Sequence, residues 1–200
     1  NGSAVLAPFR FASVPAVRTP KNELPIMLGI DGFFSSRSRD LQETEVAFLA
    51  DCGIQIVRDR EMSGWKLLQP KDSAVNAEPL RKVLELMGKH GLELMPVVGG
   101  MLWTNRGYRS GIPTSSSVPD WVCAQSKVVP GPMDGFNQRG SMPILVPEKL
   151  WRGYVRDLAE IGKGKIRIYE IMNEPFSFFT AGQYREYLNS AHDELKKADP

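Results

Sequence analysis

The sequence predicts an α/β fold in which four parallel strands alternate with helices. Four short segments rich in apolar and β-branched residues are separated by stretches whose apolar residues recur with helical spacing. Because each strand-helix-strand crossover is right-handed and returns the chain in one direction, this alternation builds a parallel sheet. The first strand ends in Gly29-Ile-Asp-Gly-Phe33, without the G-x-G-x-x-G turn of a dinucleotide-binding sheet. A (β/α)8 TIM barrel is therefore favoured over a doubly wound sheet, and this chain is expected to supply its first four βα units.

The first unit follows a lead-in segment, residues 1–25, which carries four prolines and no clear periodicity. The expected barrel region is 26–200. Residues 26–33 are predicted to form the first strand, and 39–52 the first helix, which ends at Gly53. The residues expected on the buried face of that helix are Leu41, Phe48, Leu49 and Cys52.

The second and third strands are predicted over 54–59 and 92–98, with a helix over 78–90 between them. That helix ends at Gly91, and its apolar stripe follows the i, i+3, i+4, i+7 rule. The stripe consists of Leu80, Val83, Leu84 and Met87. Residues 103–146 then contain five prolines and five glycines, which predicts a long functional or disordered connection.

The fourth unit begins with a helix over 148–161, whose stripe includes Trp151, and continues with a strand over 166–172. A last helix is predicted to begin at Thr180. Gln183 follows three residues later, which is the spacing of a capping box.

Composition excludes several classes of function. The chain is 42% hydrophobic and 24% charged, and its net charge of +2 favours neither nucleic acid nor anionic lipid as a partner. No apolar run approaches the roughly 20 residues of a membrane helix. Two histidines and two cysteines without ligand spacing argue against zinc, and no G-x-S-x-G elbow indicates a serine hydrolase. No cofactor is predicted.

The run from Ile166 to Pro175 is the most informative segment. It predicts a buried strand that delivers Asn173 and Glu174 to its carboxyl end, where Pro175 stops the ladder because it lacks an N–H donor. A carboxyl group presented beside an amide at that edge suits catalytic acid chemistry on a sugar.

Several motifs in order resemble retaining glycoside hydrolases of clan A, and family 39-like members in particular. The tripeptide Asn173-Glu174-Pro175 ends the fourth strand, as in that clan. The other matching segments are Gly53-Ile-Gln-Ile-Val-Arg-Asp59, Ser63-Gly-Trp65, Gln69-Pro70, Leu80, Gly91-Leu92, Met95-Pro-Val-Val98, Pro119-Asp-Trp121, Asp134-Gly-Phe136, Tyr154-Val155 and Tyr169-Glu-Ile-Met-Asn173.

The resemblance implies roles for three residues. Glu174 would be the general acid/base, Asn173 would hold the sugar 2-hydroxyl, and Arg58 would brace the pocket and its nucleophile. Met172 departs from the pattern, since many relatives carry tryptophan there. The nucleophilic carboxylate is expected on a seventh strand, beyond residue 200, so the chain is expected to be the N-terminal half of the enzyme. Aromatic residues near Glu174 are expected to supply an apolar surround: Tyr169, Phe176, Phe178 and Phe179.

Other polar residues at strand ends leave alternatives open. Glu170 is interpreted as an interior partner for Arg58 rather than a catalytic group. Asp31 and Asp59 either line the sugar site or cap the loops that follow them.

Three tryptophans in the loops after strands two and three provide candidate stacking surfaces for sugar rings, or else they pack the loops together. Trp103 is favoured for the sugar platform because it follows the third strand most closely, and Trp65 is a second candidate. Trp121 is the third. Trp151, on a helix stripe, is expected in the core.

The sequence therefore predicts a retaining glycosidase that cleaves β-glycosidic bonds of a polysaccharide or oligosaccharide. The alternative is a non-catalytic carbohydrate-binding or scaffold protein on a degenerate or truncated barrel. A carbohydrate is the expected partner in either case. The C-terminal half of the barrel is a second expected partner, either as a separate chain or as an omitted segment. A secreted or periplasmic location would suit such a substrate.

Overall fold

The computed structural model describes residues 28–32, 39–105, 108–131 and 141–200. Within them, four strands form a parallel sheet in the order β1-β2-β3-β6, and β4 and β5 form a separate antiparallel pair. The strands are β1 Gly29–Gly32, β2 Ile56–Asp59, β3 Glu93–Val98, β4 Lys127–Val128, β5 Ile144–Leu145 and β6 Glu170–Ile171. The helices are α1 Arg39–Asp51, α2 Trp65–Leu68, α3 Glu78–Lys89, α4 Asp120–Cys123, α5 Glu148–Gly162 and α6 Ala181–Ala198.

The predicted alternation of parallel strands and helices is confirmed. Successive strands of the main sheet are neighbours in space, and all three pairings are parallel. The register places Asp31 beside Arg58 on adjacent strands. The lead-in segment 1–25 and the predicted ends of the first strand, 26–27 and 33, lie outside the described residues.

The helix ends follow the sequence signals. Gly53 and Gly91 adopt φ values of +79° and +68°, the left-handed conformation that closes a helix without a Cβ clash. At the start of α6, Gln183 donates its backbone N–H to Thr180 Oγ1, and Thr180 returns its own N–H to Gln183 Oε1. The predicted capping box is thereby confirmed.

The fourth strand is shorter than predicted, because regular pairing covers only Glu170 and Ile171 of the predicted 166–172. Pro96 on the neighbouring strand provides the physical reason. Glu93 donates toward β2 and Val98 accepts from Met172, so alternate residues of β3 face alternate neighbours. By this alternation the backbone nitrogen of Pro96 faces the fourth strand. Proline has no N–H to donate, so the pairing between the two strands does not extend further toward residue 166.

The buried face of α1 also differs from the prediction. Leu41 and Phe48 are 44% and 63% exposed, and Cys52 is exposed too. Of the predicted residues Leu49 packs on the core, and it does so with Val46 and Ala50, which together recur at i, i+3 and i+4. Two apolar stripes run along this helix, and spacing alone does not say which one meets the sheet.

The long connection after β3 carries structure of its own. It contains α4, the β4–β5 pair and an isolated bridge between Trp103 and Pro143. These elements order the described part of the segment, whose composition had suggested a largely irregular loop.

The core lies between the sheet and helices α3, α5 and α6. Its centre is aromatic: Trp65 stacks on Tyr154 with ring centroids 4.6 Å apart and planes 8° apart, and Trp151 packs edge-on to Tyr187 at 5.2 Å. Trp151 is fully buried, which confirms its predicted place. Among the described helices none combines the length and apolar character that a bilayer crossing requires.

Candidate active site

The carboxyl ends of the parallel strands bring the predicted polar residues to one edge of the sheet. Arg58 alternates with the fully buried Val57 along β2, so its side chain lies on the opposite face from the helices. Asp31 of β1 and Glu170 of β6 lie on that same face, because both contact Arg58.

Arg58 is the centre of a hydrogen-bond network. Its Nε and Nη2 each donate to one carboxylate oxygen of Glu170, and both donor–acceptor distances are 2.6 Å. Nη1 donates to Asp31 Oδ1 at 3.0 Å, and Nη2 also donates to Asn173 Oδ1 at 2.7 Å. A two-pronged contact of this kind fixes the plane of the guanidinium as well as its position.

The carboxylates hold the pKa of Arg58 above its usual range. The Glu170 hydrogen bond is the largest cause, and partial burial opposes it. The interpretation of Glu170 as the interior partner of Arg58 is confirmed by this geometry. Arg60, which sequence reasoning missed, adds a second cation on Asp31 at 3.2 Å. The signal was available, since Arg60 has the same strand parity as Arg58.

The two candidate aspartates have different surroundings. Asp59 is fully buried, and its Oδ1 accepts the backbone N–H groups of Glu61 and Met62 at 2.9 and 2.7 Å. It caps the loop after β2, which was one of its two predicted roles. Asp31 instead stays 43% exposed on its side chain while pairing with the two arginines.

Asn173 is held by both its backbone and its side chain. Its N–H donates to Gly100 O at 3.0 Å, which continues the pairing with the segment after β3. The residue is only 9% exposed. Because an arginine only donates hydrogen bonds, the side-chain atom that faces Arg58 must be the amide oxygen.

Glu174 follows in a left-handed backbone conformation, with φ +49° and ψ +50°. It begins a short 3-10 helix, Pro175–Ser177, without capping it through its side chain. Met172 also has positive φ, +63°. This conformation is costly for residues other than glycine and asparagine, and such residues cluster at functional sites. The exposed Glu174 thus lies at the carboxyl edge beside Asn173.

The aromatic residues expected to surround Glu174 do not form a common shell. Phe178 and Phe179 are buried at 2% and 4% exposure, whereas Phe176 is 69% exposed. Tyr169 lies on the helix side of the sheet, with its hydroxyl against Gly162 of α5. A Cβ at that glycine would stand only 2.6 Å from the hydroxyl oxygen. Strand parity explains the last result, since Tyr169 alternates with the inward-facing Glu170.

The tryptophans separate into packing residues and one remaining candidate. Trp65 is 1% exposed, is stacked on Tyr154, and donates from Nε1 to Gln69 Oε1. This burial favours the alternative that Trp65 packs the loops together. Trp121 packs edge-on to Trp65 at 6.5 Å, so it joins the loops together. Trp103 is partly buried against Phe178 at 4.0 Å, in the segment that follows Glu174.

No group of three or more His, Cys, Asp or Glu side chains suited to a metal ion occurs in the described ranges. Cys52 and Cys123 are both free thiols, and burial raises the pKa of Cys123 to about 11.

Comparison with known proteins identifies the fold. No family model matches the chain, and no curated protein matches it in sequence. Solved structures do match, among them endo-glycoceramidase II from Rhodococcus sp., with a TM-score of 0.59 at 15% identity over 87% of this chain and 47% of that one. A GH10 endoxylanase retrieved from a sugarcane soil metagenome gives 0.56 at 15%, over 87% and 46%. Native xylanase 10B from Thermotoga maritima gives 0.54 at 16%, over 88% and 48%.

These matches confirm the predicted fold class. The chain has the fold of part of a (β/α)8 barrel, of the kind found in glycoside hydrolases. It spans about half the length of the structures named above. At such low identity the likeness concerns the fold, while the chemistry must be argued from the site itself.

Proposed function

We propose that these residues carry the acid/base part of a retaining glycosidase that cleaves β-glycosidic bonds of a polysaccharide or oligosaccharide. The observation that carries the proposal is the exposed Glu174 at the carboxyl edge of the sheet, next to an Asn173 amide fixed by Arg58. The glycoside-hydrolase barrel fold supports it, because barrel enzymes place their active sites at that edge.

In the proposed mechanism Glu174 gives its proton to the glycosidic oxygen as the bond to the anomeric carbon breaks. The same carboxylate then takes a proton from the water that attacks the glycosyl-enzyme. Asn173 holds the sugar 2-hydroxyl, and this hydrogen bond strengthens as the ring approaches an oxocarbenium ion.

The nucleophile is proposed to be a carboxylate beyond residue 200. A retaining mechanism needs it about 5–5.5 Å from the acid/base. Two other carboxylates lie on the inner face near the carboxyl edge of the described sheet, Glu170 and Asp31, and both contact Arg58. Their hydrogen bonds to the guanidinium favour a structural role for both carboxylates.

Substrate contacts beyond Asn173 are proposed for Trp103 and Asp31. The indole of Trp103 packs on Phe178, four residues after the acid, and offers a face for sugar C–H groups. Asp31 keeps part of its carboxylate exposed beside the arginines and suits a sugar hydroxyl donor.

Glu174→Gln in the full-length polypeptide tests the acid/base role. We expect turnover of glycosides with poor leaving groups to fall by orders of magnitude, while dinitrophenyl glycosides keep much of their glycosylation rate. An acidic leaving group needs no proton, so the loss should follow leaving-group pKa. Steady-state and burst kinetics on the two substrate classes provide the measurement.

Glu160→Gln, an exposed glutamate on α5, is the matched control and should leave both rates unchanged. An equal loss for good and poor leaving groups would remove Glu174 from the acid/base role.

The second candidate function is carbohydrate binding without hydrolysis. The observation that favours it is that Arg58 pairs with both Glu170 and Asp31, the two described carboxylates that lie beside it on the inner face. Titration calorimetry against a glycan panel, with product analysis by mass spectrometry, separates the two functions: the binder gives heat of binding but no cleaved sugar.

A further inference from the structure

We propose that Glu170 is a positioning residue that acts through Arg58 on Asn173. It fixes the Asn173 amide so that the NH2 group, and not the oxygen, is presented to the sugar hydroxyl next to the reacting carbon. This inference rests on the proposed glycosidase function and specifies what the site requires of its substrate.

The geometry assigns each proton on the side of Arg58 that faces β6. Nε–H goes to Glu170 Oε2 at 2.6 Å, and the two protons of Nη2 go to Glu170 Oε1 at 2.6 Å and Asn173 Oδ1 at 2.7 Å. Glu170 therefore sets the guanidinium plane, and that plane determines where Nη2 points. The amide oxygen of Asn173 follows it.

Asp31 is the weaker anchor of the same arginine. Its contact is a single bond of 3.0 Å to Nη1, which is not the nitrogen that contacts Asn173. Its side chain is 43% exposed, against 30% for Glu170, so solvent competes more strongly for it.

The consequence concerns substrate specificity. With its oxygen turned toward Arg58, Asn173 presents its NH2 group as a donor to the sugar, which suits an acceptor oxygen at position 2. The hydroxyl keeps its own proton for another acceptor. Substrates with a free 2-hydroxyl are therefore favoured over 2-deoxy analogues, and this preference depends on Glu170.

Glu170→Gln tests the chain of contacts. The variant keeps the side-chain length but turns one acceptor into an NH2 group, which cannot accept from the guanidinium. Arg58 then loses its fixed plane, and Asn173 loses its restraint.

Glu93→Gln is the matched control. Glu93 accepts two hydrogen bonds from Arg167, at 3.0 and 2.6 Å, joining β3 to the segment before β6 at the opposite end of the sheet. This variant removes the same kind of two-pronged arginine–carboxylate contact, far from the carboxyl edge.

The measurement is kcat/KM of the full-length polypeptide for an aryl β-glycoside and its 2-deoxy counterpart. Comparing the ratio between variants cancels the intrinsic reactivity difference of the two substrates. We expect Glu170→Gln to reduce the wild-type preference for the 2-hydroxy substrate by about tenfold, the worth of one hydrogen bond, and Glu93→Gln to leave it unchanged.

Each other outcome has a defined meaning. Equal loss on both substrates in Glu170→Gln overturns the positioning role while the glycosidase function stands. Absence of hydrolysis by the wild type overturns the function, and this inference with it. If Glu170→Gln does not fold, Glu170→Asp keeps the charge but not the reach, and the same comparison applies to it.

Discussion

At the scale of single residues, Tyr154 connects the core to the candidate site. Its hydroxyl donates to Ser63 O at 2.6 Å and accepts the N–H of Gly99 at 3.2 Å. The loop after β2 and the end of β3 are thus joined by one buried oxygen. Gly100, the next residue, supplies the carbonyl that holds the backbone of Asn173.

Tyr154→Phe should lower the free energy of unfolding by about 1–3 kcal/mol, because two buried backbone groups lose their partner while the ring stacking remains. Tyr108→Phe is the control: it removes an exposed hydroxyl that donates to Gly111 O at 2.9 Å, and should cost less than about 0.5 kcal/mol. Urea denaturation followed by tryptophan fluorescence measures both. Equal effects would show that the Tyr154 bonds contribute nothing to stability.

Residue roles were only partly predictable from sequence. The position of Asn173 and Glu174 at the carboxyl edge was predictable, because it follows from where the fourth strand ends. Trp103 was favoured over Trp65 only because it follows a strand more closely, since the direction of a loop is set by packing. Only the structure separates the buried stack on Tyr154 from the partner of Phe178.

At the scale of elements, α6 begins with a complete cap. Thr180→Ala should lower the free energy of unfolding by about 1 kcal/mol, because the backbone N–H of Gln183 loses its acceptor. Thr180→Ser keeps the hydroxyl and should stay near the wild-type value. Chemical denaturation monitored by circular dichroism measures the difference, and an alanine variant as stable as the serine variant would contradict the role of the cap.

Element positions were largely predictable, whereas their lengths and faces were not. The capping residues and closing glycines are local signals, so the helix limits were predicted closely. The length of β6 depends on which neighbour the nitrogen of Pro96 faces, and that is a property of the sheet rather than of either strand alone.

At the scale of the whole molecule, buried tyrosines make the free energy of unfolding depend on pH in the alkaline range. Burial is the largest cause that raises the pKa values of Tyr154, Tyr169 and Tyr187, the last to about 12. In the unfolded chain these phenols ionise near about pH 10. Above that pH the unfolded state has lost protons that the folded state retains, so folding stability falls as pH rises.

We therefore expect the free energy of unfolding to be flat up to about pH 9 and to decrease by about pH 11. Tyr187→Phe should give a shallower decrease, since it removes one of the three groups. Urea denaturation across this range provides the measurement, and an unchanged slope in the variant would exclude Tyr187 as a contributor.

The left-handed backbone at Met172 and Glu174 is unfavourable for stability although the proposed catalytic role needs a carboxylate there. Each such residue costs about 1 kcal/mol or more, a cost that glycine would avoid. On the proposed role, the proton donor occupies a torsionally unfavourable position that the surrounding sheet must enforce. Replacing Glu174 with glycine would remove this backbone strain but also the proton donor. The stability of the fold therefore does not favour a carboxylate at this turn, whereas cleavage of the glycosidic bond does.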